Sequence, residues 1–470
     1  MSIQIRDPVH DFIQLREKEQ RIVATQALQR LRGIRQLAMA SLVYPGALHT
    51  RFDHTLGVMH VAGQMAKALE LEGYAIETVR LAALLHDIGH GPFSHVSEHA
   101  LERYADRSRL QPDQKKEKIH ERVTALMVLN DKSIVDALGK TTCDQIVSLL
   151  STGYGELISK QIVSGPLDAD KQDYLLRDSY FCGVQYGVFD HHQLHRSLVS
   201  VKQPDQHDHA LMIRSNAIHA VEQFVLAKYY LTTNVYRHKL RLITDQMIIR
   251  AITLGIERDE IDEMRRLYTF DNSHEFASRY AEWDDSRFLR AFGYEGPDGK
   301  CKELLSRLTR RSLFKRVFTG KPSDFRDNVK EGLLTLVKQD RDPDIQQKRD
   351  KLRRRIEACI AEIVSKDSDT KIDPDFLIYH AFDIKSVKEM SRNDEASILV
   401  ESQPDPIHFE QASVLFKSIN EGFNEEFVEI YAPVTWGHPV DRHKLCDRVR
   451  GKIIETIEAE LAPPAEGATP

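Results

Sequence analysis

Cysteine is scarce and unpatterned in this 470-residue chain: Cys143, Cys182, Cys301, Cys359 and Cys446 stand far apart, with no CxxC pair. That excludes a disulfide-stapled framework and a thiolate zinc cluster, and an odd, scattered count fits a reducing compartment. Long apolar runs are missing too; none reaches the roughly 20 residues needed to span a bilayer, so no membrane partner is expected. The opening MSIQIRDPVHDF has no basic segment leading into an apolar one, so no secretory signal is expected and the chain reads as cytoplasmic. An excess of positive charge is lacking as well. Sixty-five Lys and Arg face 71 Asp and Glu, for a net charge of −6, which argues against a surface coated for nucleic acid. Local basic patches stay open, and no internal repeat is visible.

What is present is ordinary globular material, 41% apolar and 29% charged, long enough for two or three domains. Helical spacing dominates. Leu56, Met59, Ala62, Ala66 and Leu69 form one apolar stripe over 56–72. A second stripe over 76–88 runs into Gly89 and Gly91-Pro92, which end it. Helices are also predicted over 21–37, 120–138, 142–150, 217–233, 239–255, 284–292, 301–310 and 347–364. Strand-like runs are few: Ile3–Ile5 with Phe12–Leu15, Ala210–Arg214, Asp373–Ile384, Ser397–Ser402 and Phe427–Tyr431. Residues 104–119 and 200–209 read as polar loops. The expectation is a mainly α protein, with a helical body over 1–320 and a smaller α+β lobe over 321–460 that serves regulation or oligomerisation. The tail 461–470 reads as disordered. Within 302–355, Lys and Arg outnumber Asp and Glu. Such a stretch is either a solvated helix face or an anion site for nucleotide phosphates or a nucleic-acid backbone.

Histidine is the concentrated residue. Eight of the 21 lie between His49 and His120, and histidine is both a metal ligand and an acid–base group. Five of them sit in Arg51-Phe52-Asp53-His54, in the run His86 to His95 (HDIGHGPFSH), and in His120-Glu121; a later segment, Asp168 to Tyr174, reads DADKQDY. A catalytic divalent ion needs several N and O ligands with positions left open to substrate. Histidine with carboxylate and no thiolate suits Mn, Fe, Ni, Co, Zn or Mg. Adjacent His86 and Asp87 reach one ion only where a helix ends, and Gly89-His90-Gly91-Pro92 supplies that end. A lone helical histidine is usually an ordinary core or surface residue, and Asp53 alone could be a helix cap. The ordered conjunction of these pieces is the signal.

With DPVHDFI, QRLRGIRQL, PGALHTRFDHTLGV, LLHDIGHGPFSH, IHE, DADKQDYLLRD and VYRHK in order between residues 3 and 255, the sequence resembles the HD superfamily of metal-dependent phosphohydrolases. It is most similar to the deoxynucleoside triphosphate triphosphohydrolase branch, the dGTPase-like and sterile-alpha-motif-HD-like enzymes. A weaker echo continues through RRSLFKRV. The resemblance implies metal ligands at His54, His86, Asp87 and Asp170. It places catalytic histidines and their orienting carboxylates at His90, His120, Glu98 and Glu121. It implies a triphosphate held by Arg51, His95, Lys171 and Tyr174, and a sugar held by Gln36 and Asp178. Leu37 and Tyr236 would then close against the 2′ carbon, refusing a ribonucleotide by steric exclusion. For Leu37 and Tyr236 core packing is the other reading.

The resemblance has gaps. Ala24 stands where vertebrate members carry a guanine-reading Asp, and basic residues expected near Gln193 and Ser215 are absent. Arg32, His238, Lys239, Arg311 and Lys315 remain where such enzymes bind activator phosphates. A regulatory nucleotide at the interface of a dimer or tetramer is therefore expected, and not necessarily GTP. No sterile-alpha-motif module is expected before the core. The leading expectation is hydrolysis of dNTP to deoxynucleoside and inorganic triphosphate. The alternatives are an HD-type phosphomonoesterase or phosphodiesterase, and a nucleotide-sensing or nucleic-acid-binding protein without catalysis.

Overall fold

The computed structural model describes residues 3–151, 156–202, 209–337, 343–368, 371–385, 397–403, 405–418, 425–434 and 442–461. The tail 462–470 and most of the 200–209 loop lie outside that set. The chain is 64% helical with only small sheets, a mainly α body with a smaller α+β lobe. No described helix is long and apolar enough to cross a membrane.

The chain opens with an antiparallel hairpin, β1 (Ile3–Asp7) and β2 (Asp11–Leu15), registered from Ile3 opposite Leu15 to Asp7 opposite Asp11. At its turn Asp7 Oδ1 accepts the N–H groups of Val9 and His10, each at 2.9 Å. The helix predicted over 21–37 is broken into pieces, Glu17–Val23, Gln26–Gln29 and a 3-10 turn Arg30–Gly33. Thr25 stops the first and caps the second through its Oγ1, 3.4 Å from Leu28 N. Ile34 is extended and Arg35 bridges to Thr50 before the chain turns into a 3-10 segment, Ala40–Leu42.

The Arg51–Ala68 helix starts at a reciprocal cap, in which Thr50 Oγ1 faces Asp53 N (3.4 Å) and Asp53 Oδ2 accepts Thr50 N (2.7 Å). Asp53 is thus a capping residue. The Gly73–Leu85 helix lies against it and is buried along its last eight residues. It ends at His86, as the glycines downstream require. Gly89 is needed there for close approach: a methyl group would run into the His120 carbonyl and the Thr124 amide. Gly89 N donates instead to Thr124 Oγ1 (3.1 Å), which seats the loop on the Ile119–Asn130 helix and brings His120 to it.

Three helices that shape the centre were not anticipated from periodicity: His95–Tyr104, Leu157–Val163 and Ala169–Cys182. The last begins where Asp168 accepts Lys171 N at 2.8 Å, so the first Asp of DADKQDY is a cap and the rest is helix. The Ile218–Leu231 and Lys239–Glu257 helices complete the body, joined by a π-helical turn Thr232–Tyr236.

Two further sheets follow. β3 (Leu198–Lys202) and β4 (His209–Ile213) pair antiparallel, β4 pairs parallel with β7 (Leu399–Val400), and β7 pairs with β8 (Ile407–His408). The other sheet has the order β5 (Lys315–Gly320), β9 (Glu425–Ala432), β6 (Ile378–Ile384), all antiparallel. β3 and β5 carry weak strand signals, because LVSVK runs into a polar loop and KRVFTG holds only two adjacent apolar side chains between polar and basic ones. A separate buried cluster, including Val317, Leu333, Ile360, Val428 and Ile453, unites β5, β6 and β9 with the Asp327–Val337, Pro343–Ser368 and Arg442–Leu461 helices. Val400, Phe409 and Phe416 return to the large core, so the chain crosses between the two cores more than once. Arg103 with Asp350 (2.7 Å) and Arg250 with Glu357 tie the two together. Part of the basic 302–355 stretch is neutralised, since Lys302, Arg307, Arg316, Arg353 and Arg354 each pair with a carboxylate. Cys143, Cys182 and Cys301 are buried free thiols.

Candidate active site

Three segments converge at the centre of the large body. His54 comes from the Arg51–Ala68 helix, His86 and Asp87 from the end of the next, and Asp170 from the first turn of the Ala169–Cys182 helix. One donor atom each from His54, His86 and Asp170 lies within 4.8 Å of the others. His54 Nε2 is 2.9 Å from Asp170 Oδ1 and 3.7 Å from Asp87 Oδ2. His86 Nε2 is 3.2 Å from Asp87 Oδ1 and 3.7 Å from Asp170 Oδ1.

The donor set fits a divalent cation on one observation in particular. His86 Nδ1 is committed to the Ala83 carbonyl at 2.7 Å, which turns the buried Nε2 inward toward Asp87 and Asp170, where its contacts do not have hydrogen-bond geometry. A buried polar atom left unpaired needs an explanation; a ligand lone pair aimed at an ion is one. Burial alone would drive the proton from His54, but hydrogen bonds with Asp170 and Asp173 overrule it and lift its pKa to about 10. The carboxylates that stabilise a proton there would equally stabilise a metal ion.

Asp173 was not singled out from the sequence, and it organises the back of this centre. Its Oδ2 takes His54 Nδ1 at 2.8 Å and its Oδ1 takes His10 Nε2 at 2.6 Å. Arg177, one turn on, forks onto both oxygens (2.8 and 2.9 Å) and reaches Asp7 at 2.8 Å. One helix face therefore carries Asp170 of the His54–His86 cluster, then Asp173 at i+3, Arg177 at i+7 and Asp178 at i+8. The signal was available in DADKQDYLLRD, whose spacing is helical. Its partners Asp7 and His10 lie more than 160 residues upstream. Gly57 makes room for this network, because a methyl group there would fall within the envelopes of Asp173 Oδ1 and Arg177 Nη2. Gly57→Ala is expected to lower stability by about 3 kcal/mol or more, read as a drop in the thermal unfolding midpoint; an unchanged midpoint would contradict this packing.

On the open side, His90 lies 3.3 Å from Asp87 Oδ1 through Nε2 and stacks on His120 with ring centroids 4.2 Å apart. Glu98 serves two histidines, with Oε2 3.0 Å from His95 Nδ1 and Oε1 2.7 Å from His120 Nδ1. Burial pushes the Glu98 carboxyl up, yet those two histidines hold it well below the usual carboxylate range. Desolvation, with the Arg51 and His120 charges, keeps His90 well below the usual imidazole value. Glu121 is not brought to this group by any described contact: its carboxylate accepts Lys118 N at 2.9 Å, closing the start of its own helix.

Arg51 is fully buried. It donates to Ser94 Oγ (2.8 Å) and to Asp87 Oδ2, while its Nη2 has no partner. Lys171 is held by Asp168 Oδ2 (2.5 Å) and the Gly165 carbonyl (3.0 Å). Tyr174 packs edge-on to Tyr236 at 6.2 Å. Asp178 receives the Tyr236 hydroxyl at 2.6 Å and faces His49 Nε2 at 2.7 Å, so His49 has a structural task that the sequence left unassigned. Gln36 N donates to the His49 carbonyl (3.2 Å), and its buried Oε1 has no partner. Leu37 is buried beside it. The five basic residues are only partly assembled. Arg311 Nη2 reaches the Leu42 carbonyl (3.4 Å) and His238 packs on Tyr44 (5.9 Å), which brings both to the 42–44 turn. Arg32 lies 3.5 Å over the Phe52 ring, and Lys239 and Lys315 are exposed.

Comparison with known proteins fits this geometry. Residues 51–148 match the HD domain and residues 189–443, more than half the chain, match the HD associated region. An uncharacterized protein of Methanocaldococcus jannaschii is 35% identical over 259 residues, 55% of this chain and 51% of that one. The deoxynucleoside triphosphate triphosphohydrolase SAMHD1 of Homo sapiens is 28% identical over 358 residues, covering 68% of this chain and 55% of the human one. The chain thus spans little more than half the length of these relatives. A phosphohydrolase of Bacteroides thetaiotaomicron shares the fold, with a TM-score of 0.68 at 22% identity over 92% of this chain and 100% of that one. With its histidine–aspartate centre and both matched regions in place, the chain belongs to the HD superfamily of metal-dependent phosphohydrolases, in the branch similar to the deoxynucleoside triphosphate triphosphohydrolases.

Proposed function

We propose that this protein hydrolyses deoxynucleoside triphosphates to deoxynucleoside and inorganic triphosphate. The observation that carries the reading is the convergence of the His54, His86 and Asp170 donors in one cluster with two buried polar atoms that have no hydrogen-bond partner, Arg51 Nη2 at its rim and Gln36 Oε1. These correspond to cation, phosphate and sugar. His54, His86 and Asp170, with Asp87 alongside, would hold a divalent ion, Mn, Fe, Mg, Co, Ni or Zn. Such an ion supplies Lewis-acid stabilisation of charge on a phosphoryl oxygen.

The chain's own groups account for the rest. Asp173 fixes His54 in the tautomer that presents Nε2. Arg51, with His95, Lys171 and Tyr174, binds and orients the polyphosphate. Lys171 gives up its hold on Asp168 or shares it to do so. His90 and His120, the latter against Glu98, are placed to move a proton to the leaving 5′-oxygen as water attacks the α-phosphorus. Gln36 and Asp178 take the 3′-hydroxyl. The Tyr236 hydroxyl, tied to Asp178, keeps that ring and Leu37 tight against C2′, and a 2′-hydroxyl is refused by contact. Arg32, His238, Lys239, Arg311 and Lys315 are proposed to take the phosphates of a regulatory nucleotide where copies of the chain meet in a cytoplasmic homo-oligomer.

The test is to incubate the protein with Mn²⁺ and each dNTP, singly and in pairs, and resolve the products by chromatography. Inorganic triphosphate with deoxynucleoside is the expected outcome. Release of orthophosphate or pyrophosphate would sink the reading in favour of a phosphomonoesterase or phosphodiesterase. Turnover that never depends on a second nucleotide would remove the regulatory part alone.

A further inference from the structure

Residues 283–285, far downstream of the matched HD domain, grip the histidine-rich loop from behind. Trp283 O accepts Arg30 Nη1 at 2.9 Å, and Arg30 Nη2 donates to the carbonyls of Ile88 (2.5 Å) and His90 (2.9 Å). Two residues on, the carboxylate of Asp285 is shared between two segments. Its Oδ1 accepts Phe93 N at 2.7 Å and its Oδ2 accepts Arg35 N at 2.9 Å. Between these anchors lies an unusual backbone. Phe93 and Ser94 have consecutive positive φ values of 60° and 56°, a conformation side chains resist and surroundings must enforce. Ser94 closes the circuit by donating to the Arg35 carbonyl at 2.6 Å and accepting Arg51 Nε at 2.8 Å, while Arg51 reaches Asp87.

We propose that Asp285 is a positioning residue of the active site: by bridging the N–H groups of Arg35 and Phe93 it holds the strained Phe93-Ser94 turn that aims Arg51 at Asp87 and the substrate phosphates. Through Arg35 the same carboxylate registers the neighbouring Gln36 and Leu37 of the sugar wall against the phosphate side. Burial is expensive for this group and pushes its carboxyl up to about 7, against the two N–H donors. A carboxylate is retained because only it offers two acceptors to two backbone donors. This inference rests on the assignment of Arg51 as a phosphate-binding group.

Asp285→Asn keeps the shape but presents an amide donor to one of the two N–H groups. The variant is expected to lower kcat by about 10–100-fold, with KM changed less than about threefold. It should keep its bound Mn, measured by plasma emission, and a folded circular dichroism spectrum. A kcat within about twofold of the parent overturns the proposal, and so does a loss that merely tracks lost Mn. Should this variant not fold, Ser94→Gly decides. Glycine adopts the turn without strain and removes only the hydroxyl link, so the same fall in kcat is expected and full activity overturns the proposal. If the parent protein leaves dNTPs intact, the triphosphohydrolase reading fails by itself; the same comparison is then made on bis(para-nitrophenyl) phosphate.

Discussion

Asp170→Ala and His86→Ala are each expected to lower turnover on the order of 10³-fold and to remove tightly bound divalent metal. The two residues contribute donors to one cluster from separate helices, and neither has a described substitute within reach. His86 is held by Ala83 and Asp170 by its helix start, so the surrounding fold should survive the loss of either side chain. The measurement is paired: metal content by plasma emission and initial rate on dNTP, with thermal unfolding as the control for folding. Full activity in either variant would move the centre elsewhere, the nearest alternative being the His90, His95 and Glu98 group.

Arg177→Met is expected to have the largest effect on stability. Arg177 is wholly buried between Asp7 and Asp173, and its removal takes the guanidinium from both buried carboxylates, leaving Asp173 only His10 and His54. Breaking such a pair costs about 3–5 kcal/mol, and Arg177→Lys should recover only part, because an ammonium cannot fork onto both oxygens. The pH dependence follows. Burial pushes the Asp173 carboxyl up, but Arg177 with His10 and His54 overrules it and leaves it well below the ordinary range. A depressed carboxylate contributes stability above its unfolded pKa of about 4, and that contribution is lost as pH falls toward the depressed value. In Arg177→Met much of it should be missing already at neutral pH, so denaturant unfolding of the variant should show a shallower loss between neutral and acid. An unchanged midpoint at pH 7 would contradict this account.

His54, His86, Asp87 and Asp170 are legible as a candidate metal-ligating set because their motifs are local: a histidine one turn inside a helix, an HD pair at a helix end, an Asp just after an N-cap. The glycines after His86 made the helix end readable too. Asp173 lies within DADKQDY but carries no signal of its role there, since that role depends on His10 and His54 arriving from two other elements. Asp285 carried no motif at all. Its role comes from two backbone N–H groups that lie about 190 and 250 residues away, and backbone donors leave no residue-type signature. Glu121 shows the reverse: a conspicuous His-Glu dipeptide whose carboxylate is spent on a helix start while Glu98, a full helix earlier, faces His120.

From the order of residues alone came the helical character, the scarcity of thiols and the candidate metal-ligating side chains. These rest on periodicity, composition and short-range spacing, which a linear sequence preserves. The tertiary structure decided which carboxylate orients which histidine, where the strained turn is clamped and which polar atoms are left facing inward without a partner. Those are long-range hydrogen-bond choices, made only when burial forces every polar group in the core to find a partner or to be kept for a ligand.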